Sequence, residues 1–223
     1  MMRPWPDARG GTALLAMLLL ALRTTAHAQL VEGRDFRRTD TPQLTEVAAD
    51  RVEVLEFFSY GCSFCFQFQP LLSAWSTNLP TDVILTRVPV SIGRSKWKAL
   101  ARTYYALEAI GELQRLDAPL FAAINEQHLE LFDEGSIAAW VSGHGVDAGK
   151  FTSAYLSDSV SDKALDAERR GHAYGIAGTP TLAVDGQYIV MGKSFAALLK
   201  NLEQLVDQAV HRKAAAAATS AAE

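Results

Sequence analysis

The amino-acid sequence predicts an α/β fold in which a central mixed sheet is flanked by helices and interrupted by an inserted helical subdomain. Three observations support this prediction. A strand-like run, a helical pattern and a second strand-like run follow one another over residues 52–90, which indicates a right-handed βαβ unit if the strands are parallel. Only helical patterns occur over residues 95–175. Two short strand-like runs and an amphipathic helix follow from residue 176.

The N-terminal residues have the three regions of a secretory signal peptide. A basic start with Arg3 and Arg9 is followed by an apolar run over residues 13–22 and a small-x-small cleavage site at residues 26–28. The apolar run is too short to span a bilayer, which takes about 20 residues; an uncleaved anchor is the alternative. We therefore expect residues 1–28 to be removed and the mature protein to be exported.

The exported part of the chain is acidic. Without residues 1–28, Lys+Arg falls from 21 to 18 and Asp+Glu from 25 to 24, which leaves a formal net charge of −6. An acidic chain without basic runs does not favour nucleic acid as a partner. Its length suits one domain, or one domain with a sizeable insertion.

The patterns divide the chain into five segments. We assign residues 1–28 to the signal peptide, 29–94 to the first part of the sheet domain, 95–175 to the helical insertion, 176–212 to the second part of the sheet domain, and 213–223 to an alanine-rich flexible tail. The tail could extend the last helix but has little apolar surface to bury, so we expect it to fray. Within the insertion we expect five helices, the second of them capped by Asp117.

The only two cysteines, Cys62 and Cys65, lie where an apolar strand ends and a helix begins. Unpaired N–H groups and the helix dipole at such a position favour a thiolate, which is the attacking species in disulfide exchange. A structural disulfide across this small loop would add little stability. The pair supplies only two of the four usual zinc ligands. We therefore predict a redox-active pair, with no metal and no cofactor.

Glu56 is unexpected because it interrupts the apolar run Val52–Phe58. A carboxylate there should be half-buried, and buried carboxylates are usually paired or functional; the alternative is the exposed face of an edge strand. Glu53, near the start of the same strand, is expected to meet water. Further along, Asp185-Gly186 between two apolar runs predicts a β-hairpin.

Two motifs together carry a resemblance to a known family. Phe57-Phe58-Ser59-Tyr60-Gly61-Cys62-x-x-Cys65, with the later Gly178-Thr179-Pro180-Thr181, resembles the DsbA family of periplasmic thiol:disulfide oxidoreductases. The resemblance covers about residues 35–210 and places the insertion where that family has one. It implies a thioredoxin-like fold, a periplasmic location and the introduction of disulfide bonds into exported proteins.

The resemblance also implies a role for individual residues. Cys62 corresponds to the exposed nucleophile and Cys65 to the buried resolving thiol. Pro180 corresponds to a cis-proline facing the disulfide, although a trans bond is the ordinary state of a Thr-Pro pair. The backbone of Thr179 would then pair with a substrate peptide. Glu56 corresponds to an acidic residue behind the active site, and we hypothesise that it takes up protons during exchange.

The sequence departs from the family between the cysteines. Typical members have Pro-His, whereas this chain has Ser63-Phe64. Phenylalanine cannot stabilise a thiolate electrostatically as the histidine does, although Ser63 offers a hydroxyl. We therefore expect a less acidic Cys62 and a weaker oxidant. Phe64 is the aromatic residue most expected to be exposed and to contact unfolded peptide, and Phe68 is expected in the core.

The expected partners follow from the resemblance. They are unfolded or translocating proteins that contain cysteine and a DsbB-type, quinone-coupled membrane protein that reoxidises the pair; the protein itself is expected to be a monomer. A disulfide isomerase or reductase is the nearest alternative. Isomerases of this compartment usually carry a dimerisation domain, for which residues 29–50 are too short. A non-catalytic chaperone or a metal-sequestering module is the alternative from a different class.

Overall fold

The structure, a computed structural model, describes residues 29–220 and contains a five-stranded mixed sheet of order β1-β5-β4-β2-β3. The strands are β1 (Phe36–Arg38), β2 (Val52–Phe58), β3 (Val83–Pro89), β4 (Thr181–Val184) and β5 (Tyr188–Val190). The helices are α1 (Ser63–Ser76), α2 (Ser95–Ala109), α3 (Leu113–Asn125), α4 (Glu134–Gly143), α5 (Ala148–Leu156), α6 (Asp158–Ala173) and α7 (Phe195–Ser220). The predicted signal peptide lies outside the described residues.

Strand β2 lies inside the sheet and is buried along its whole length. It pairs with β3 in parallel and with β4 antiparallel, which confirms the predicted βαβ unit. Its alternate residues enter two cores: Val54 packs with residues of α1 and α7, whereas Phe57 packs with residues of α6. Coverage of both faces explains the nearly continuous apolar run, and the interior position rules out the edge-strand alternative for Glu56.

The predicted hairpin joins β4 and β5. Asp185 and Gly186 form its turn with φ values of 53° and 70°, as the favoured two-residue hairpin turn requires. A Cβ atom on Gly186 would collide with the backbone carbonyl of Gln43. The loop before β2 therefore packs directly on this turn, and only glycine fits there.

The insertion has the expected five helices, α2 to α6, between residues 95 and 173. Its core includes Leu100, Phe121 and Ile137 and is continuous with Phe58 and the two cysteines. The insertion therefore forms one wall of the site where α1 begins. Because apolar side chains from both parts share one core, the insertion is packed against the sheet domain and not merely tethered to it.

Asp117 does not cap the second helix of the insertion as the sequence predicts. Helix α3 already begins at Leu113, so Asp117 lies within it. Its carboxylate instead accepts hydrogen bonds from Arg87 and Tyr60. An aspartate followed by an apolar pattern resembles a cap in sequence, but here tertiary partners take up its oxygens.

Glu53 was expected to meet water and is instead buried, with 1% of its surface exposed. The loop before β2 and helix α6 cover this end of the strand. One carboxylate oxygen accepts a hydrogen bond from the Glu46 backbone N–H at 3.1 Å and one from Arg170 at 3.3 Å. Burial raises the pKa of Glu53, and Arg170 opposes this shift.

The last helix continues past the predicted boundary at residue 212, because α7 is helical to Ser220. Alanine has the highest helix propensity, so residues 213–220 extend the helix although most of them are exposed. The ammonium group of Lys213 lies 2.9 Å from the carboxylate of Asp185 in the hairpin turn. No helix within residues 29–220 is long and apolar enough to cross a membrane.

Candidate active site

The cysteine pair lies at the start of α1 because a tight turn ends β2 and a cysteine caps the helix. The backbone N–H of Cys62 donates to the carbonyl of Ser59 at 3.0 Å. Cys62 has an extended backbone, and its Sγ accepts a hydrogen bond from the N–H of Cys65 at 3.3 Å. The thiol thus occupies the place of an N-cap oxygen. A Cβ atom on the preceding Gly61 would collide with the indole of Trp97 from α2.

The loop before β4 covers the cysteine pair from the opposite side. The Cys62 thiol donates to the carbonyl oxygen of Thr179 at 3.2 Å, and the Thr179-Pro180 peptide bond is cis, as the resemblance implied. Cys65 is fully buried, as expected, but Cys62 is only 6% exposed. The expectation of an exposed nucleophile is therefore wrong for this structure, because Thr179 lies over the sulfur.

The two thiols have opposite electrostatic environments. The hydrogen bond from the Cys65 thiol is the largest cause that lowers the pKa of Cys62 from 9.0 to about 6, and the backbone N–H groups of Cys65 and Phe64 act in the same direction. Burial opposes this shift. Burial also raises the pKa of Cys65 far above 9.0, and the sulfur of Cys62 adds to the effect. Only Cys62 can therefore be a thiolate near neutral pH.

Ser63 and Phe64, which separate the cysteines, both point into solvent. Phe64 is 61% exposed, as predicted, whereas Phe68 one turn further is fully buried. Phe64 lies at the edge of a groove of about 630 Å³ beside the Thr179-Pro180 loop. Its other walls come from the segment between β5 and α7 and include Met191, Phe195 and Leu198. A partly apolar groove thus lies beside the loop that covers the Cys62 sulfur.

Behind the cysteines lies a buried cluster of charged groups. Glu56 is 1% exposed, and its Oε2 accepts a hydrogen bond from Nε of Arg87 at 2.6 Å. Nη1 of the same guanidinium donates to both oxygens of Asp117 at 2.8 Å. The hydroxyl of Tyr60 donates to Oδ1 of Asp117 at 2.6 Å. The guanidinium also stacks on Phe58, with Cζ 4.0 Å from the ring centroid.

This cluster bears on the cysteines through Glu56. Burial raises the pKa of Glu56, Arg87 opposes the shift, and the charge of Asp117 reinforces it. The charge of Glu56 is in turn one of the causes that raise the pKa of Cys65. A carboxyl that binds a proton more readily than usual therefore lies within electrostatic reach of a thiol that must gain and lose a proton.

Sequence reasoning found Glu56 but missed Arg87, Asp117 and Tyr60. A signal for Arg87 was present, since it interrupts the apolar run of β3 just as Glu56 interrupts that of β2. The two residues are paired in the parallel register of these strands. Asp117 and Tyr60 have no comparable signal, because only the packing of α3 against the sheet brings them to Arg87.

The chain matches the model of the DsbA-like thioredoxin domain over residues 53–204. It is 34% identical over 202 residues to the thiol:disulfide interchange protein DsbA of Bordetella parapertussis, a match that spans 88% of this chain and 96% of that protein. It is 31% identical over 177 residues to DsbA of Pseudomonas aeruginosa, over 79% of this chain and 83% of that protein.

Solved structures agree with these sequence matches. The crystal structure of Pseudomonas aeruginosa DsbA superposes with a TM-score of 0.77 at 29% identity, over 83% of this chain and 96% of that one. The oxidoreductase NmDsbA3 from Neisseria meningitidis superposes with a TM-score of 0.72 at 31% identity, over 82% of this chain and 99% of that one. Both likenesses span the sheet domain and the insertion together.

Proposed function

Because the chain belongs to the DsbA family and is a thiol:disulfide oxidoreductase with a thioredoxin-like fold, we propose that it introduces disulfide bonds into exported proteins through Cys62 and Cys65. The observation that carries the proposal is the asymmetry of the two thiols. A thiolate at Cys62 stabilises the reduced pair, and a stabilised reduced form makes the corresponding disulfide an oxidant. Cys65 has no exposed surface, whereas Cys62 keeps a small exposed fraction and the lower pKa, so exchange takes place at Cys62.

The reaction begins with the oxidised pair. A substrate thiolate attacks Sγ of Cys62, the Cys62–Cys65 bond breaks, and Cys65 leaves with the electron pair and takes up a proton. A second substrate thiolate then attacks the substrate sulfur of the mixed disulfide and releases Cys62 as a thiolate. The substrate thereby loses two electrons and gains a disulfide, while the protein becomes a dithiol.

The residues around the pair have supporting roles in this proposal. Thr179 and Pro180 border the sulfur and present backbone groups to an extended substrate peptide, for which the groove beside Phe64 offers apolar contact. Glu56 exchanges a proton with Cys65 when the disulfide opens or closes. Its buried position and its unused Oε1, which has no hydrogen-bond partner within residues 29–220, support that role.

The dipeptide Ser63-Phe64 makes this protein a weaker oxidant than a Pro-His enzyme. In the most strongly oxidising Cys-x-x-Cys proteins the attacking thiol has a pKa of about 3.5. A value of about 6 for Cys62 supports a less stabilised thiolate. Because the hydrogen bonds that lower the pKa of Cys62 come from the Cys65 thiol and from backbone N–H groups, the side chains of Ser63 and Phe64 contribute no charged partner.

The proposal places the mature protein in the periplasm as a monomer, exported by the signal peptide at residues 1–28. Unfolded and translocating proteins with free cysteines are its substrates. Each turnover leaves the pair reduced, so an electron acceptor must restore it. A DsbB-type, quinone-coupled membrane protein supplies this step in the proposed cycle.

Two activity assays with the wild-type protein and Cys62→Ser test the proposal. An oxidase restores activity to reduced ribonuclease A and is poor at reducing insulin, and both activities are lost in Cys62→Ser. Equilibration of the pair with glutathione buffers then gives its reduction potential. Full ribonuclease oxidation by Cys62→Ser would refute the exchange mechanism, and a strongly reducing potential would favour the reductase or isomerase alternative.

A further inference from the structure

Asp117 is a half-buried carboxylate in the helical insertion that the proposed exchange steps do not use. It lies in the middle of α3, where neither helix capping nor solvent explains its position. Its two oxygens take two hydrogen bonds from Arg87 and one from Tyr60, all between 2.6 and 2.8 Å. The guanidinium of Arg87 that bonds to Asp117 also holds Glu56.

Asp117 and Glu56 both bond to the guanidinium of Arg87, but they differ in the number of hydrogen bonds that they accept. Asp117 takes three hydrogen bonds, whereas Glu56 takes a single one at Oε2. Within the described part of the chain, neither Oε1 of Glu56 nor Nη2 of Arg87 has a hydrogen-bond partner. If both carboxyls are ionised, the cluster carries an excess negative charge in a buried place, which is unfavourable. A proton that neutralises this excess charge can bind at Oε1 of Glu56.

We infer that Asp117 is a positioning residue that engages Arg87 from the insertion and thereby leaves Glu56 free to accept and return the proton of Cys65. The inference rests on the proposed role of Glu56 and deepens it. It also gives the insertion a part in the chemistry, since a carboxylate that adds to the effect of burial on the proton affinity of Glu56 comes from α3 and not from the sheet domain.

The groups that face Glu56 come from every element around it. Arg87 lies on β3, Asp117 on α3, Cys65 on α1 and Tyr104 on α2, and the hydroxyl of Tyr60 bonds to Asp117 within the same cluster. Arg87 is the one cation of this set, and Asp117 the one carboxylate besides Glu56. Removing the charge of Asp117 therefore gives Glu56 the full attraction of the guanidinium and weakens it as a base.

Closure of the disulfide is the step in which this change is measurable. When the reduced protein reacts with oxidised glutathione, Cys62 forms a mixed disulfide and Cys65 then displaces glutathione. Cys65 must first lose its proton, which passes to the carboxylate of Glu56. Acid quenching and mass spectrometry separate the mixed disulfide from the closed pair and give the rate of closure at each pH.

The decisive variant is Asp117→Asn, which keeps the shape of the side chain and an acceptor for the Tyr60 hydroxyl. We expect the Glu56 carboxyl, followed by NMR of carbon-labelled glutamate, to titrate at lower pH than in the wild-type protein. We also expect closure to slow by about tenfold near neutral pH, a fraction of the full effect of a positioned base. The acid limb of the rate profile should move to lower pH.

Glu112→Gln is the matched control. Glu112 precedes the same helix and pairs with a different arginine, Arg115, in a partly exposed salt bridge. Glu112→Gln removes one negative charge, as Asp117→Asn does, and should change neither the titration of Glu56 nor the rate of disulfide closure. An equal slowing in Glu112→Gln and Asp117→Asn would overturn the inference, because it would show a general charge effect.

A double variant distinguishes this inference from the proposed function. In a Glu56→Gln background, Asp117→Asn should have no further effect on closure, since it acts through Glu56.

If Glu56→Gln closes at the wild-type rate, the role of Glu56 itself fails. If Glu56→Gln is slow but Asp117→Asn leaves closure and the Glu56 titration unchanged, only the role of Asp117 fails. An ordinary titration of Glu56 in the wild-type protein would also overturn the inference without any variant.

Discussion

Strand β2 carries two buried glutamates, Glu53 and Glu56, which point to opposite faces of the sheet. Each is 1% exposed, each pairs with an arginine, and each has one oxygen without a hydrogen-bond partner in the described residues 29–220. Burial raises the pKa of both. In burial and charge alone the two residues are nearly indistinguishable.

The difference lies in their neighbours. Glu53 accepts a hydrogen bond from a backbone N–H, and its arginine, Arg170, also pairs with the exposed Glu46 at the surface. The hydrogen bond that Glu56 accepts comes from the side chain of Arg87, and this arginine is shared with a second carboxylate, Asp117 of the insertion. The charge of Glu56 also raises the pKa of the fully buried Cys65 thiol.

A buried acid is therefore a candidate for proton exchange because of what surrounds it, and burial by itself is not sufficient. On the face of Glu53, loop and helix close over the strand end, and the ion pairs there connect structural elements. On the face of Glu56, the same kind of ion pair lies next to a group whose reaction needs a proton. Variants on the two faces can test this distinction.

The largest difference is expected from the arginines. Arg87→Met leaves Glu56 and Asp117 without their cation in a buried place, and removing one partner of a buried pair costs about 3–5 kcal/mol. Arg170→Met should cost clearly less, because Glu53 keeps its backbone donor and Glu46 reaches water. Urea unfolding of both variants measures the losses in the free energy of unfolding.

A surface pair provides the control for these two variants. Arg115 and Glu112 form a surface salt bridge at 2.8 Å, and such pairs contribute about 0–1 kcal/mol. Arg115→Met should therefore be close to wild type. Equal losses in Arg87→Met and Arg170→Met would remove the proposed contrast between the two faces.

The buried tyrosines of the two faces predict the next largest difference. Tyr60 donates to the carboxylate of Asp117, and hydrogen bonds to charged groups contribute about 1.5–3 kcal/mol. The hydroxyl of Tyr174, on the face of Glu53, is buried without a hydrogen-bond partner among residues 29–220. Tyr60→Phe should lower the free energy of unfolding by that amount, whereas Tyr174→Phe should leave it unchanged or raise it. Chemical denaturation of the pair checks this, and a destabilised Tyr174→Phe would contradict it.

These contrasts show what the sequence can and cannot predict about the site. Cys62, Cys65 and Pro180 belong to local motifs, so the meeting of the cysteine pair with the Thr179-Pro180 loop and the cis peptide bond could be expected from the resemblance that these motifs carry. The burial of Glu56 followed from the apolar run around it. The same rule applied to Arg87 in β3 would have found its partner, because the register of a βαβ unit places the two strands side by side.

The remaining features depend on contacts between distant segments. Glu53 was expected in water because it is near a strand end, and nothing local shows that the loop before β2 and α6 cover it. Asp117 resembles a helix cap in the sequence because an apolar helical pattern follows it. Its actual partners, Arg87 and Tyr60, lie 30 residues or more away along the chain, where no local pattern points to them. Cys62 is covered by Thr179, which is 117 residues further along the chain. Tertiary packing decides all three cases.

Activity should separate the two glutamates more sharply than stability does. Glu56→Gln removes the group that exchanges a proton with Cys65, and we expect closure of the disulfide after reaction with oxidised glutathione to slow by about a hundredfold or more. Glu53→Gln is the matched variant on the opposite face and should close at the wild-type rate. Quenched-flow rates of both proteins over a range of pH test this prediction. A wild-type pH profile in Glu56→Gln would count against proton exchange at this residue.

The smallest effect is expected in the pH dependence of stability. Both glutamates have a folded-state pKa above their ordinary value of 4.5, so the folded protein retains protons that the unfolded chain has already released. Their contribution to stability is therefore fully present below pH 4.5 and is lost as the pH rises through the folded-state pKa. Glutamine has no charge to bury, so each Glu→Gln variant should lose less stability over this rise in pH.

The reduction in the pH dependence of the free energy of unfolding should be greater for Glu56→Gln than for Glu53→Gln, since Glu53 keeps a backbone donor for its charged form. Urea unfolding at a series of pH values measures both slopes, and identical slopes for the two variants would mean that the second carboxylate on Arg87 has no electrostatic consequence for Glu56.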